Sequence, residues 1–206
     1  MPAGARLMVY DRTCRGGSWP LGLSHSWWWG ARLYGALDRL DASYGAASWD
    51  EALGFLLRAC EGRAVSEVQF WGHGKWGEAR IAGDVLDERV LRAGHPLFSQ
   101  WRRLATRFTP GALFWFRTCE TFGASKGHSF ASAFSSKLGC AVAGHTYIIG
   151  PWQSGLHLLR PGASPHWSSD EGLKEGSPSS PRRALWSTPV APNTITCFHG
   201  AVPESF

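Results

Sequence analysis

The chain reads as an α/β protein in three layers, a mostly parallel sheet flanked by helices on both faces. Three observations carry that reading. Apolar runs of strand length recur at 6–10, 66–72, 112–118 and 140–150. Between them lie segments whose apolar residues return every three or four positions, the spacing of an amphipathic helix. Strands that alternate with helices in this way build parallel sheets, because each helix carries the chain back to start the next strand in the same direction.

Taken in order, RLMVY (6–10) is strand one, and RTCRGGSWPLG after it is a glycine- and proline-rich loop. From Trp28 to Leu40, the residues Leu33, Tyr34, Leu37 and Leu40 predict a helix with one apolar face. Ser48 and Glu51 form an S-x-x-E capping box, so a second helix starts near Trp49 and stops before Gly62. SEVQFWG is the next strand, and EARIAGDVL a further short one carrying a hairpin partner. Phe98, Trp101, Ala105 and Phe108 predict a helix over 97–108, ended before Pro110. ALFWFRT is a buried strand. HSFASAFSSKL is a helix with Phe130, Phe134 and Leu138 on one face, stopped by Gly139. CAVAGHTYIIG is a further buried strand, LHLLR an edge strand, and TITCF (194–198) a returning strand. Residues 1–160 form the α/β domain, and 161–206 an irregular segment rich in Pro, Ser and Gly.

With 206 residues, one domain is the expectation. The net charge of +5 comes from 21 basic residues scattered along the chain, a pattern of solvated surface rather than a nucleic-acid stripe. No basic start followed by an apolar stretch marks a secretory signal, and no run approaches the roughly 20 apolar residues that span a bilayer. A cytoplasmic protein with no membrane or nucleic-acid partner is expected. The five cysteines (14, 60, 119, 140, 197) include no CxxC pair, which argues against a disulfide framework and a zinc knuckle. Histidines without ligand spacing predict no metal, and no cofactor is expected. Gly72, Gly74 and Gly77 lack the G-x-G-x-x-G or Walker spacing, and no G-x-S-x-G elbow is present.

The chemistry concentrates in two places. His73-Gly74 closes the run VSEVQFWGHG, and Cys119 closes ALFWFRTC, 46 positions later. In α/β sheets reactive groups gather at such strand ends. A thiol needs a neighbour that accepts its proton and later protonates the leaving group, and histidine does both near neutral pH. Cys119 is then the nucleophile, His73 the acid and base, and the amides of Gly74 and Cys119 the candidate oxyanion donors. Cys14 lies in a loop between Arg12-Thr13 and Arg15, where flanking positive charge favours a thiolate, yet no matching histidine is evident beside it.

A strand ending in His-Gly, a strand ending in Cys about 46 residues later, then a helix and the strand CAVAGHTYIIG together resemble the caspase, gingipain and CHAT-like fold of cysteine peptidases. The likeness covers 65–150 well and 1–64 loosely, and is nearest to the bacterial lone-domain type. It implies a His-Cys dyad that cleaves a peptide bond in a protein or peptide substrate through a thioester. The caspase box is absent, since this chain reads Arg117-Thr118-Cys119-Glu120-Thr121. In the resembled families the residue two before the cysteine lines the pocket for the side chain preceding the scissile bond. Arg117 there implies an acidic group, because a guanidinium pairs bidentately with a carboxylate, and the alternative is that Arg117 pairs with Glu120 or another nearby acid of the chain itself. Arg12, Arg15 and Trp152 are further substrate-binding candidates, and the Trp27-Trp28-Trp29 cluster a possible contact surface. The alternative is a catalytically silent binding or signalling module on the same scaffold. His145 and His128 are read as structural, the latter as a helix cap.

Overall fold

A computed structural model describes residues 4–16, 22–203 and 206. Part of the loop expected after strand one, 17–21, lies outside the described residues. In chain order the elements are β1 (Ala5–Asp11), α1 (Leu23–Ala36), β2 (Ala42–Ala46), α2 (Trp49–Arg58), β3 (Val65–Trp71), β4 (His73–Lys75), β5 (Glu78–Ile81) and β6 (Asp84–Leu86). There follow α3 (Phe98–Ala105), β7 (Phe108–Arg117), α4 (Ala124–Leu138), β8 (Ala141–His145), β9 (Trp152–Gln153), β10 (Leu156–Leu159), β11 (Leu173–Ser177), β12 (Ser180–Ala184) and β13 (Ile195–Thr196).

The central sheet has six strands in the order β10-β8-β7-β3-β1-β2. β2, β1, β3, β7 and β8 run parallel, and β10 is antiparallel to β8 at the edge. The chain leaves β1 to one side for β2 and returns to the other side for β3. That reversal opens a crevice beyond the carboxyl ends of β1 and β3.

Side chains alternate across a strand, and here the alternation sorts two faces. Leu7 and Val9 of β1, Val68 and Phe70 of β3, and Phe114 and Phe116 of β7 share one core with buried residues of α2, α3 and α4. Met8 and Trp71 face the other way and pack with Ala31 and Tyr34 of α1. Trp115 also leaves the main core, joining Ala143, Leu156 and Ile195. A buried aromatic stack of Phe114, Phe116, Phe130 and Phe134, with Trp101 edge-on to Phe134, fixes α3 and α4 against the sheet.

Several elements differ from their expected form. The first helix begins five residues earlier and ends at Ala36, and its exposed face carries Leu33 and Leu37, while Ala31 and Tyr34 turn inward. ASYGA is an edge strand, β2, that small residues do not signal. EARIAGDVL is the expected strand with a hairpin partner, β5 and β6, and it joins β4 in a small antiparallel sheet. Phe108 opens β7 instead of closing a helix, with Pro110 and Gly111 (φ 78°) in a stretch where the β3 pairing skips from Phe108 to Leu113. The segment after 160 contains the β11–β12 hairpin, and β13 pairs antiparallel with β9. The capping box forms as expected: the Ser48 hydroxyl accepts the Glu51 N–H at 3.2 Å, although the Glu51 carboxylate reaches back to the Ala47 amide at 3.0 Å. Gly139 caps α4 in the left-handed conformation (φ 64°). None of the helices among the described residues is long and apolar enough to cross a membrane.

Candidate functional site

β3 and β7 are neighbours in register, with Trp71 opposite Arg117. Their carboxyl ends therefore deliver His73 and Cys119 to one edge of the sheet. Both residues line a single cavity of about 650 Å³. Its walls are mostly aromatic and aliphatic, from Trp27, Trp29 and Leu33 of α1, from Trp71, from Ile149 and Pro151, and from Phe198 of the C-terminal segment.

The Cys119 loop is firmly held. Glu120 N–H bonds to the Tyr147 carbonyl and Phe122 N–H to that of His145, both at 2.9 Å. Thr121 Oγ1 lies 2.6 Å from Thr118 Oγ1 and donates to the Glu78 carbonyl at 3.0 Å. Trp167 Nε1 donates to the Phe122 carbonyl at 3.0 Å. Glu120 sits at φ 45°, a conformation that costs a non-glycine residue roughly 1–2 kcal/mol, so the loop pays for its shape next to the cysteine. Gly74 lies directly against this loop. A Cβ there would come within 2.6 Å of the Cys119 carbonyl oxygen and would strike Thr121 Oγ1.

The thiol and the imidazole are not hydrogen-bonded to each other. Cys119 is half-buried and its Sγ donates to the Ile149 carbonyl at 3.9 Å. Burial pushes this thiol above its ordinary range, with the backbone at Ile149 opposing and the neighbouring Glu120 adding to the rise. The exposed ring of His73 instead places Nε2 3.3 Å from Sγ of Cys14 and meets the edge of Trp27, ring centroids 5.6 Å apart. Cys14 thus does have a histidine partner, contrary to the sequence reading, because the crevice at the strand reversal brings the loop after β1 to the end of β3.

Arg117 is 2% exposed and projects to the α1 side of the sheet, one alternation past Phe116. Its guanidinium lies between the rings of Trp71 (4.5 Å) and Trp115 (4.3 Å). Nε and Nη2 donate to Gln153 Oε1 at 3.2 and 2.8 Å. Nη1 donates to Tyr34 Oη and to the His199 carbonyl, both at 2.9 Å, and Nη2 also to the Cys197 carbonyl at 3.1 Å. Every partner is neutral, so among the described residues no carboxylate is hydrogen-bonded to this cation. Desolvation holds its pKa below the usual value, with Tyr34 acting against it. Pairing with Glu120 is not observed.

Other candidates separate from the cavity. Arg12 is committed to the Gly45 carbonyl at 3.1 Å and to Glu51 at 3.2 Å. Arg15 is exposed, and neither arginine lines the cavity. Trp152 is 42% exposed, while its neighbours Pro151 and Gln153 line the wall. Of the tryptophan cluster, Trp27 and Trp29 line the cavity, and Trp28 carries the Arg32 guanidinium over its ring at 5.3 Å. His145 is fully buried with Nδ1 3.1 Å from the Ser154 carbonyl. His128 lies inside α4, whose N-cap is Gly123, so it does not cap the helix. Among the described residues no group of three His, Cys, Asp or Glu side chains converges as metal ligands.

Tyr34, Gln69, Gln153 and the 197–199 backbone, the surroundings of Arg117, were not anticipated from the sequence. One signal was present. Glu67 and Gln69 interrupt the apolar strand VSEVQFW at alternate positions, which marks a polar strip on the face that Arg117 shares. Searches against protein-family models, curated proteins and solved structures found no match to this chain.

Proposed function

We propose that the chain is a caspase-like cysteine peptidase of three-layer α/β/α build, with Cys119 as nucleophile and His73 as proton carrier. The observation that carries this reading is the convergence of His73 and Cys119, from the ends of adjacent parallel strands, on one cavity. Turnover begins when the imidazole takes the thiol proton and the thiolate adds to the peptide carbonyl carbon. The amine leaves with the proton from the imidazolium, giving a thioester. Water then adds, its proton passing to His73, and the carboxylic product departs as the thiol is restored. The backbone around Gly74 stabilises the oxyanion.

Arg117 makes an acidic side chain before the scissile bond the favoured substrate group. It is a buried cation hydrogen-bonded to neutral acceptors, with the Glu67 charge acting on it from a distance, and a carboxylate replacing the Cys197 and His199 carbonyls would pair with it directly. The silent binding module is the second reading. A half-buried Cys119 thiol turned to Ile149 and an imidazole engaged by Cys14 favour it.

Peptidyl acyloxymethyl ketones with Asp or Lys before the reactive group separate the two. A peptidase forms an adduct on Cys119 with the Asp probe in preference to the Lys probe, and loses it in His73→Ala. Equal labelling of all five cysteines refutes an activated dyad, and equal use of both probes refutes the role of Arg117.

A further inference from the structure

We infer that Cys14 is a second reactive thiol of this crevice, activated by His73 and oxidised by small hydroperoxides in preference to Cys119. The inference does not rest on peptidase activity. It rests on the thiol–imidazole contact of 3.3 Å and on where that contact lies.

Three features converge on it. Cys14 follows β1 and His73 follows β3, and these two strands flank the point where the sheet order reverses, the place where open α/β sheets hold their ligands. Within the described part of that loop, residues 13 and 14 are both anchored. Thr13 N–H and Oγ1 both donate to Asp11 Oδ1, at 2.7 and 2.6 Å, and the Cys14 carbonyl accepts the Ser24 N–H at 3.1 Å. The imidazole is oriented by the edge of Trp27. The thiol is therefore held at its base by ordered neighbours on both sides.

Location selects the reagent. His73 and Cys119 line the cavity, but Cys14 does not. A side chain seated in the cavity meets Cys119, whereas a small solute from solvent reaches Cys14, which is half-buried beside an exposed His73. Cys119, turned to a carbonyl with its thiol form favoured by burial, is the poorer target.

The step balances as follows. Nε2 of His73 takes the Cys14 thiol proton, and the thiolate attacks one oxygen of the hydroperoxide. An S–O bond forms as the O–O bond breaks, the sulfur losing two electrons and the peroxide gaining them. The leaving hydroxide or alkoxide takes the proton from the imidazolium, giving water or an alcohol, and Cys14 becomes a sulfenic acid. While Cys14 holds Nε2, the imidazole is unavailable to Cys119, so the state of Cys14 sets whether His73 can serve the other thiol.

The test exposes the full chain to hydrogen peroxide, traps sulfenic acid with a dimedone-type reagent, and maps adducts by mass spectrometry. Cys60 and Cys197, two other half-buried thiols, are internal controls. Cys14 is expected to trap about tenfold faster than either and than Cys119, and about tenfold slower in both His73→Ala and His73→Gln, with circular dichroism reporting that each variant is folded. Cys119 trapping as fast as Cys14 overturns the stated preference. Cys14 trapping no faster than the controls, or at an unchanged rate in folded His73 variants, overturns the inference. Cys119→Ser keeps the two proposals apart: it abolishes the peptidyl-probe adduct at that position and leaves Cys14 oxidation intact.

Discussion

His145 lies at the end of β8, fully buried, with one ring nitrogen near the Ser154 carbonyl and Nε2 without a hydrogen-bond partner among the described residues. Burial takes its pKa from an ordinary 6.5 down to about 3, and the nearby Arg117 charge adds to the fall. The folded state therefore prefers the neutral ring. Its contribution is fully present above the unfolded pKa of 6.5 and is lost as pH falls toward 3, at up to about 1.4 kcal/mol per pH unit. His145→Gln is expected to flatten the acid limb of a urea-denaturation series between pH 6.5 and 3, where the wild type loses stability. An unchanged slope in the variant would assign that limb to other groups. Arg117 presents the same physics with the opposite solution, since its charge is kept and surrounded by oxygens and aromatic faces instead of being given up.

At the level of elements, β4 is short but consequential, because it lays Gly74 against residues 118–121 of the Cys119 loop. Gly74→Ala forces a methyl group toward the Cys119 carbonyl and Thr121, and is expected to destabilise the fold by about 1–3 kcal/mol in chemical denaturation. In the folded fraction the variant should also alter peptidyl-probe labelling of Cys119 more than that of Cys140, which is remote in the main core. The parallel strands β3, β7 and β8 were legible because each is a dense apolar run, and α2 because Ser48 and Glu51 announce its start. β2 was not, since ASYGA owes its strand form to pairing with β1 and not to its own side chains. The β11–β12 hairpin was hidden in the same way by Pro, Ser and Gly that read as loop. For the site, His73 and Cys119 were legible because strand ends are local features. The contact between Cys14 and His73 spans 59 positions and depends on the order of strands in the sheet, which no local pattern encodes.

Over the whole molecule, the C-terminal segment belongs to the cavity and not to a separate appendage. The Tyr34 hydroxyl lies 3.0 Å from the Cys197 carbonyl and 2.7 Å from that of His199, while Arg39 Nη1 donates to Phe198 O at 2.7 Å. Tyr34→Phe removes one acceptor of Arg117 and one donor to the segment together. It is expected to lower global stability by about 1–3 kcal/mol and to speed amide exchange around 195–199, read by hydrogen–deuterium exchange mass spectrometry. Exchange that stays as slow as in the wild type would show that β13, Arg39 and Arg117 hold the segment without the Tyr34 hydroxyl. The separations involved are large: 163 and 165 positions from Tyr34, and 80 and 82 from Arg117. Closing such loops is entropically slow relative to pairing neighbouring strands and helices. The main core can therefore assemble while Arg117 still waits for its carbonyls, and the cavity gains its last wall at the end of folding. One wall of the cavity therefore depends on a few backbone oxygens recruited from 80 or more positions away along the chain.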